Sequence, residues 1–415
     1  MDKPPSAEKA LKTLQQTLRQ KPSEAAERPA AVMALPAEPS EGEGRFLVLS
    51  IADARAVTAA RVALMEDPRF EYLKSRVDDV LREFVAQCRV ERRQGHIERF
   101  VTDHARLPQE RLCYMPLEHL RVAQEVTALG TTFLPTTDAR IPRDRIGFSL
   151  VSPVGSVAAV LAHGTSEERM AERAMAACAY ALRLLRVGLT ERIASERQLR
   201  FRLAGTYTFS EPVWGWKASD DVAYDLDLTP DLIRLAESQP MARIGPNVVT
   251  DVDRKAQVAL KWIERSLFAA EPMVALLFLF FGLEALLGDR SSKKKAHDLA
   301  FKQALLNHVV TGAFAHPDRT VLLYDRVRSA AVHGEDVHGV TWGVVHDQVG
   351  AVKTTLDAYV AFADAQGIGR RGRLLTALAR HPGRAQLIDW LRVSGGEEWR
   401  KWLERDGAAV DPDSR

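Results

Sequence analysis

From Val274 to Leu287 the chain runs almost without a polar side chain, and the one charged exception is Glu284. A helix that is apolar on every side is buried on every side. This one is too short to cross a bilayer, which takes about 20 apolar residues. It therefore predicts a core helix with other helices laid around it. Its surroundings agree. Pro272 suits a first helical turn, and the stretch Asp253 to Ala269 carries Leu260, Ile263 and Leu267 at helical spacing. Beyond it, Ser291-Ser292-Lys293-Lys294-Lys295 reads as a polar loop leading into a helix to about Val310. A helix from Pro317 to Gly334 follows, then a long one from about Val340 to Gln366. Residues 250–366 thus predict an antiparallel helical bundle with Leu283, Leu287 and Val332 inside.

The rest of the chain is patterned differently. Ile244-Gly-Pro-Asn247 is the clearest boundary, and residues 45–245 before it mix strand and helix signals. Phe46 to Ile51 and Ser156 to Ala162 read as strands, Ala54–Met65 and Phe70–Cys88 as helices. Thr165 with Glu168 forms a capping box for a helix running to Val187, and Gly188 stands where a helix ends. His163-Gly164-Thr165 has one alternative use, as a phosphate loop at that helix start. Leu199, Phe201 and Leu203 alternate with Arg200 and Arg202, while Tyr224, Leu226 and Leu228 alternate with Asp225 and Asp227. The basic face would touch phosphates, face solvent or pair with the acidic strand. Residues 1–44 lack material for a core and read as a disordered leader, although Leu11, Leu14 and Leu18 would make one partner-docking helix. Residues 367–415 read as a basic, helical C-terminal extension, with Leu387, Trp390 and Leu391 able to pack back on the body. The expected fold class is α+β: a mixed α/β N-terminal region followed by an all-α bundle.

Charge and cysteine content narrow the function classes. Lys+Arg 57 against Asp+Glu 55 leaves a net charge of +2, so any nucleic-acid surface is a local patch. Cys88, Cys113 and Cys178 are far apart and form no CxxC, which argues against a disulfide framework or a thiolate zinc site. With no basic-then-apolar signal pattern at the start, these features predict a soluble, cytoplasmic protein without a membrane partner, a metal or a cofactor.

One stretch carries chemistry: Tyr324-Asp325-Arg326-Val327-Arg328-Ser329-Ala330-Ala331-Val332-His333-Gly334. A guanidinium stays charged and forks onto phosphate oxygens, stabilising charge that builds in a transition state. A histidine near neutral pKa exchanges protons with a ribose hydroxyl or a leaving oxygen. Five residues along a helix turn the side chain by about 140°, a gap that arginine's length can cover. The same residues admit a structural use. Arg328 would pair with Glu284 if that carboxylate were buried, and His333 would satisfy terminal carbonyls before Gly334. His333, Glu335, Asp336, His338 and His346 lack the helical two-histidine spacing of a metalloprotease, and His333-Gly-Glu335 lacks a deaminase's Cys partner.

Three groups of residues carry a family resemblance: Lys261-Trp262-Ile263, Phe281-Gly-Leu-Glu284-Ala-Leu-Leu-Gly288, and Tyr324 through Arg328-Ser329 to His333-Gly334. Together, over about residues 250–366, they resemble the ApeA-like HEPN domains, helical bundles of bacterial defence and toxin ribonucleases. The family's motif is an arginine, four to six residues, then a histidine, and Arg328 and His333 fit it. Ser329 departs from the asparagine, aspartate or histidine that many active members carry there. The resemblance implies a metal-independent RNA endonuclease in anti-phage defence or toxin-type cleavage, with Arg328 and His333 catalytic and Glu284, Tyr324 and Ser329 supporting. Lys293, Lys294, Lys295 and Arg326 would be weaker RNA contacts. It further implies RNA as partner, a homodimer through the bundle, and an N-terminal region that senses a phage or cellular trigger or restrains the nuclease. The alternative is a non-catalytic module for nucleotide or RNA binding, or for dimerisation.

Overall fold

The computed structural model describes residues 6–19, 31–34, 46–73, 76–90, 96–141, 154–190, 202–203, 226–246, 248–288, 295–333 and 340–404. The chain divides into two compact units. One comprises Met1–Cys113, Leu161–Ala174 and Tyr207–Val213; the other comprises Tyr114–Val160, Met175–Thr206 and Trp214–Arg415.

The first unit begins with a correction. Residues expected in a disordered leader form α1 (Ala7–Arg19), and Leu11, Leu14 and Leu18 are buried. Their i, i+3, i+7 spacing lays one apolar stripe against α2 (Ile51–Glu66) and α3 (Val77–Val90). The partners, Leu64, Leu81 and Phe84, are far enough away in sequence that α1 looks coreless when read alone. β1 (Ala31–Ala34) and β2 (Phe46–Leu49) pair antiparallel. The expected strand to Ile51 stops at Leu49 because Ser50 caps α2: its Oγ accepts from Asp53 N, and Asp53 accepts from Ser50 N. The expected helix Phe70–Cys88 is split into a 3-10 turn, Pro68–Leu73, and α3, and α4 (His96–His104) follows.

The strands come next in sequence: β3 (Gln109–Glu118), β4 (Leu120–Arg121), β5 (Val126–Ala128), β6 (Thr131–Pro135) and β7 (Val154–Gly164). β8 (Arg202–Leu203) completes a five-stranded sheet of order β5-β6-β7-β3-β8. A two-residue turn joins β5 to β6 with φ of 53° at Leu129 and 76° at Gly130, the positive pair a tight hairpin needs. The basic strand β8 pairs with β3, and β9 (Leu226–Asp227) pairs with β4, so among the described residues the basic and acidic strands are not paired with each other. Asp227 instead accepts from Arg121. Arg200 lies outside the described residues, as does the remainder of that strand signal.

α5 (Glu167–Leu189) starts one residue later than expected, with Ser166 Oγ rather than Thr165 accepting from Arg169 N. It also runs through Gly188, whose carbonyl accepts from Gln239 Nε2. α6 (Pro230–Glu237) is capped by Thr229. The helical bundle then consists of α7 (Asp251–Leu267), α8 (Pro272–Leu287), α9 (Lys295–Thr311), α10 (Asp318–His333) and α11 (Trp342–Ala365). α8 packs against the other four, which is what its all-round apolar sequence requires. Leu283 and Leu287 are buried as expected; the side chains of residues 328–333, Val332 among them, lie outside the described residues. Gly367, at φ 60°, ends α11, with Ile368 N donating to Ala363 O. α12 (Arg371–Ala379), α13 (Gly383–Ser394) and α14 (Glu397–Trp402) return onto the bundle through Leu374, Leu387, Leu391 and Trp402.

Ile244–Asn247 is not where the molecule divides. Tyr180, Leu184 and Val187 of α5 and Met241 and Ile244 share the bundle's core. Arg183 and Arg186 of α5 both donate to Glu264 of α7. The molecule is α+β, helical at both ends with a small sheet between them in sequence. No helix among the described residues is long and apolar enough to cross a membrane.

Candidate functional site

A cavity of about 940 Å³ opens in the second unit, lined by side chains from α7, α8, α9, α10 and α12. Its position follows from how α8 ends. Leu286 and Gly288 leave carbonyls without helical partners, and the Arg371 guanidinium donates to both. Arg371 N donates to Asp251 Oδ2 at 3.0 Å, so the first turns of α7 and α12 are tied together beside the same helix end. The Arg254 guanidinium, hydrogen-bonded to Asp251, holds that carboxyl below its ordinary value; burial opposes this, and Arg371 N–H and the Lys255 charge add to it.

Among the described residues, the charged side chains of the cavity wall are mostly cationic. Lys255, Lys295, Lys302 and Arg371 line it against two carboxylates, Glu284 and Asp298. Lys302 Nζ is 2.7 Å from Asp298 Oδ2, one turn earlier on α9. Aromatic rings form the opposite kind of surface. Phe281 lies edge-on to Trp262 with ring centroids 5.0 Å apart, and Phe278 lies 5.4 Å from the same indole. Arg265 sits 4.8 Å from the Trp262 centroid. Phe281 keeps 38% of its surface exposed although it belongs to the most apolar helix.

Tyr324 and Glu284, expected as supporting residues, meet here: the tyrosine hydroxyl donates to Glu284 Oε1 at 2.5 Å. The Tyr324 ring is buried edge-on to Phe280, 5.2 Å away. This bond ties α10 to α8. Glu284 itself is exposed, so the costly buried carboxylate that would have needed Arg328 as a structural partner does not exist. The reason is local: Glu284 falls on the one strip of α8 that the neighbouring helices leave open, three residues from Phe281.

Of the other expected residues, Lys295 lines the cavity, whereas Arg326 is exposed on α10 and does not line it. Arg328, Ser329 and His333 are on α10, in its last two turns, and their side chains lie outside the described residues. Lys293, Lys294, Gly334, Glu335, Asp336 and His338 lie outside the described residues altogether. By position, Arg328 follows Tyr324 by one helical turn. Sequence reading missed Lys255, Lys302 and Arg371 as parts of one site. Lys255 and Trp262 share a helical face at a spacing of seven, a signal that was present; Arg371 comes from a different segment, and no local pattern points to it. Among the described residues, no group of three or more His, Cys, Asp or Glu side chains is placed to hold a metal ion. Compared with family models, curated proteins and solved structures, the chain matches none of them.

Proposed function

We propose that the bundle is a HEPN-type RNA endonuclease working without a metal ion, with Arg328 and His333 as its catalytic pair. The observation that carries this reading is the Tyr324–Glu284 hydrogen bond. It holds α10 against α8 at the wall of a cation-lined cavity, one turn before Arg328. The chemistry needs only the substrate's own nucleophile. The ribose 2′-oxygen attacks the adjacent phosphorus as its proton is taken up, and the P–O5′ bond breaks. A 2′,3′-cyclic phosphate and a 5′-hydroxyl result, the latter receiving a proton. His333 is suited to the proton transfers, and Arg328 to the charge on the non-bridging oxygens.

The bacterial-defence setting, the cytoplasmic location, the homodimer through the bundle and the sensing or restraining role of the N-terminal region belong to the same proposal and rest on the family resemblance. Sedimentation showing only monomer at micromolar protein would remove the dimer. The test of the nuclease is the purified full chain with labelled RNA in EDTA, with analysis of the product ends. Cyclic-phosphate ends are expected. Cleavage that requires added magnesium contradicts the proposal. Binding alone is the second reading, favoured by a cavity that holds cations and aromatic rings whatever α10 does; RNA bound but never cut would establish it.

A further inference from the structure

One wall of the cavity comes from outside the stretch that carries the family resemblance. α12, which contributes Arg371, Leu375 and Thr376, follows residue 366. The site is therefore a joint product of the bundle and the C-terminal extension. Three kinds of surface meet in it. Lysines 255 and 295 add positive charge that the two lining carboxylates do not offset, since Asp298 is engaged with Lys302 and Arg371 adds a further cation. Phe281 offers a partly exposed aromatic ring, packed edge-on against Trp262, which lines the cavity beside it. Glu284 stands one turn along α8 from Phe281 and is exposed, an acceptor for N–H groups at a base edge.

A π-face for stacking, cations for a phosphate and one carboxylate acceptor are the components that nucleotide recognition combines. The volume lies at the upper end of ordinary ligand pockets, which span about 300–1,000 Å³. We infer that this cavity binds a nucleoside phosphate, with its base stacked on Phe281 and its phosphate held by Lys255 and Lys295. The nucleotide is either free or one residue of an RNA strand. In the second case the inference rests on the nuclease reading and names how the same site grips its substrate.

The experiment is calorimetric titration of the full chain with three probes: ATP, a short 2′-O-methyl oligoadenylate that cannot be cleaved, and inorganic triphosphate. Wild type is expected to bind ATP or the oligonucleotide at least ten-fold more tightly than triphosphate. Tighter ATP binding assigns a free nucleotide, tighter oligonucleotide binding an RNA strand. Phe281→Ala should weaken the preferred probe about ten-fold or more, the range of a lost stacking contact. Phe281→Leu, which keeps the apolar volume, should weaken it equally and guards against misfolding of the alanine variant. Lys255→Gln with Lys295→Gln should weaken all phosphate probes. Thr376→Glu, an exposed change on α12, should do the same if the extension is part of the wall. Cleavage by the wild-type chain is read separately, which distinguishes this inference from the nuclease: a wild-type chain that binds the nucleotide probes but cuts no RNA removes only the nuclease. The inference is overturned if neither nucleotide probe binds, if triphosphate binds as tightly as ATP, or if both Phe281 variants bind normally.

Discussion

Two helical cores in this chain are built from the same apolar residues and differ in what else they bury. The N-terminal core joins Leu11 and Leu14 of α1 to Leu64, Leu81 and Phe84, and the most deeply buried polar side chain there, Asp53, is occupied in a helix cap. The bundle is different. Thr320 donates to Gln303 at 2.8 Å, Gln303 donates to Thr355 at 3.1 Å, and the three residues come from α10, α9 and α11. Lys353, itself buried, forms an ion pair with the half-buried Asp357 one turn on. Polar groups cost free energy inside a protein unless they are paired, and the pairing tolerates only one arrangement of the helices. A plain leucine core keeps a domain folded. The bundle's polar ties also join α9 and α10, which present side chains to the cavity, to α11.

That contrast is broken most sharply at Glu264. It carries two arginines, and Arg186 retains only 8% of its side-chain surface. Burial pushes the Arg186 guanidinium below its ordinary pKa while Glu264 opposes the shift, so removing the carboxylate takes away a charge that offsets that burial. Glu264→Ala is expected to lose about 3–5 kcal/mol in urea unfolding. Unchanged stability would mean that the ties between α5 and α7 are incidental.

Next in size come two cavity-forming changes. Leu14→Ala and Leu283→Ala, each fully buried, should each lose about 2–5 kcal/mol. Hydrogen exchange should show the first loosening α2 and α3 and the second loosening the bundle. If Leu14→Ala were silent, α1 would be the leader that the sequence alone proposes. Thr320→Val keeps shape and removes the donor to Gln303, for an expected loss of about 1–3 kcal/mol. Tyr324→Phe should cost less, about 0.5–1.5 kcal/mol, because the carboxylate it frees is exposed to water.

Last comes a pH dependence that is silent below pH 9. Burial pushes the Cys88 and Cys113 thiols up to about 11 and Cys178 to about 12, from an ordinary 9.0. A raised folded-state pKa contributes stability that is complete below pH 9 and is lost as pH rises through 11 to 12, because the unfolded chain ionises first. Melting temperature should therefore fall from pH 9 upward. At pH 8 a thiol reagent should not label the native protein; rapid labelling of all three cysteines would contradict their burial.

Much of the helical half was legible because its signals are local. Pro272, Thr229 and Gly367 mark helix ends by chemistry that one turn of chain contains, and the apolar run at 274–287 has only one environment open to it. What was not legible depended on distant partners. α1 is amphipathic in a region otherwise poor in core residues, and only Phe84 and Leu64 reveal what its leucines cover. The division of the chain was misplaced because Gly245-Pro246 is a turn signal like any other; nothing near it shows Tyr180 and Ile244 entering the bundle's core. In the site, the tie between Glu284 and Tyr324 joins residues expected to work together, whereas Arg371 enters from a helix beyond the motif-bearing stretch.

The most direct measurement is a cleavage time course on RNA in EDTA, comparing the full wild-type chain with His333→Ala and Arg328→Ala. Expected is cleavage by wild type with 2′,3′-cyclic phosphate ends, slowed roughly 10²- to 10⁴-fold in each variant, while melting of His333→Ala stays within about 0.5 kcal/mol of wild type. Equal rates in all three proteins, or cleavage only when magnesium is supplied, would contradict the assignment of Arg328 and His333 as a metal-independent catalytic pair.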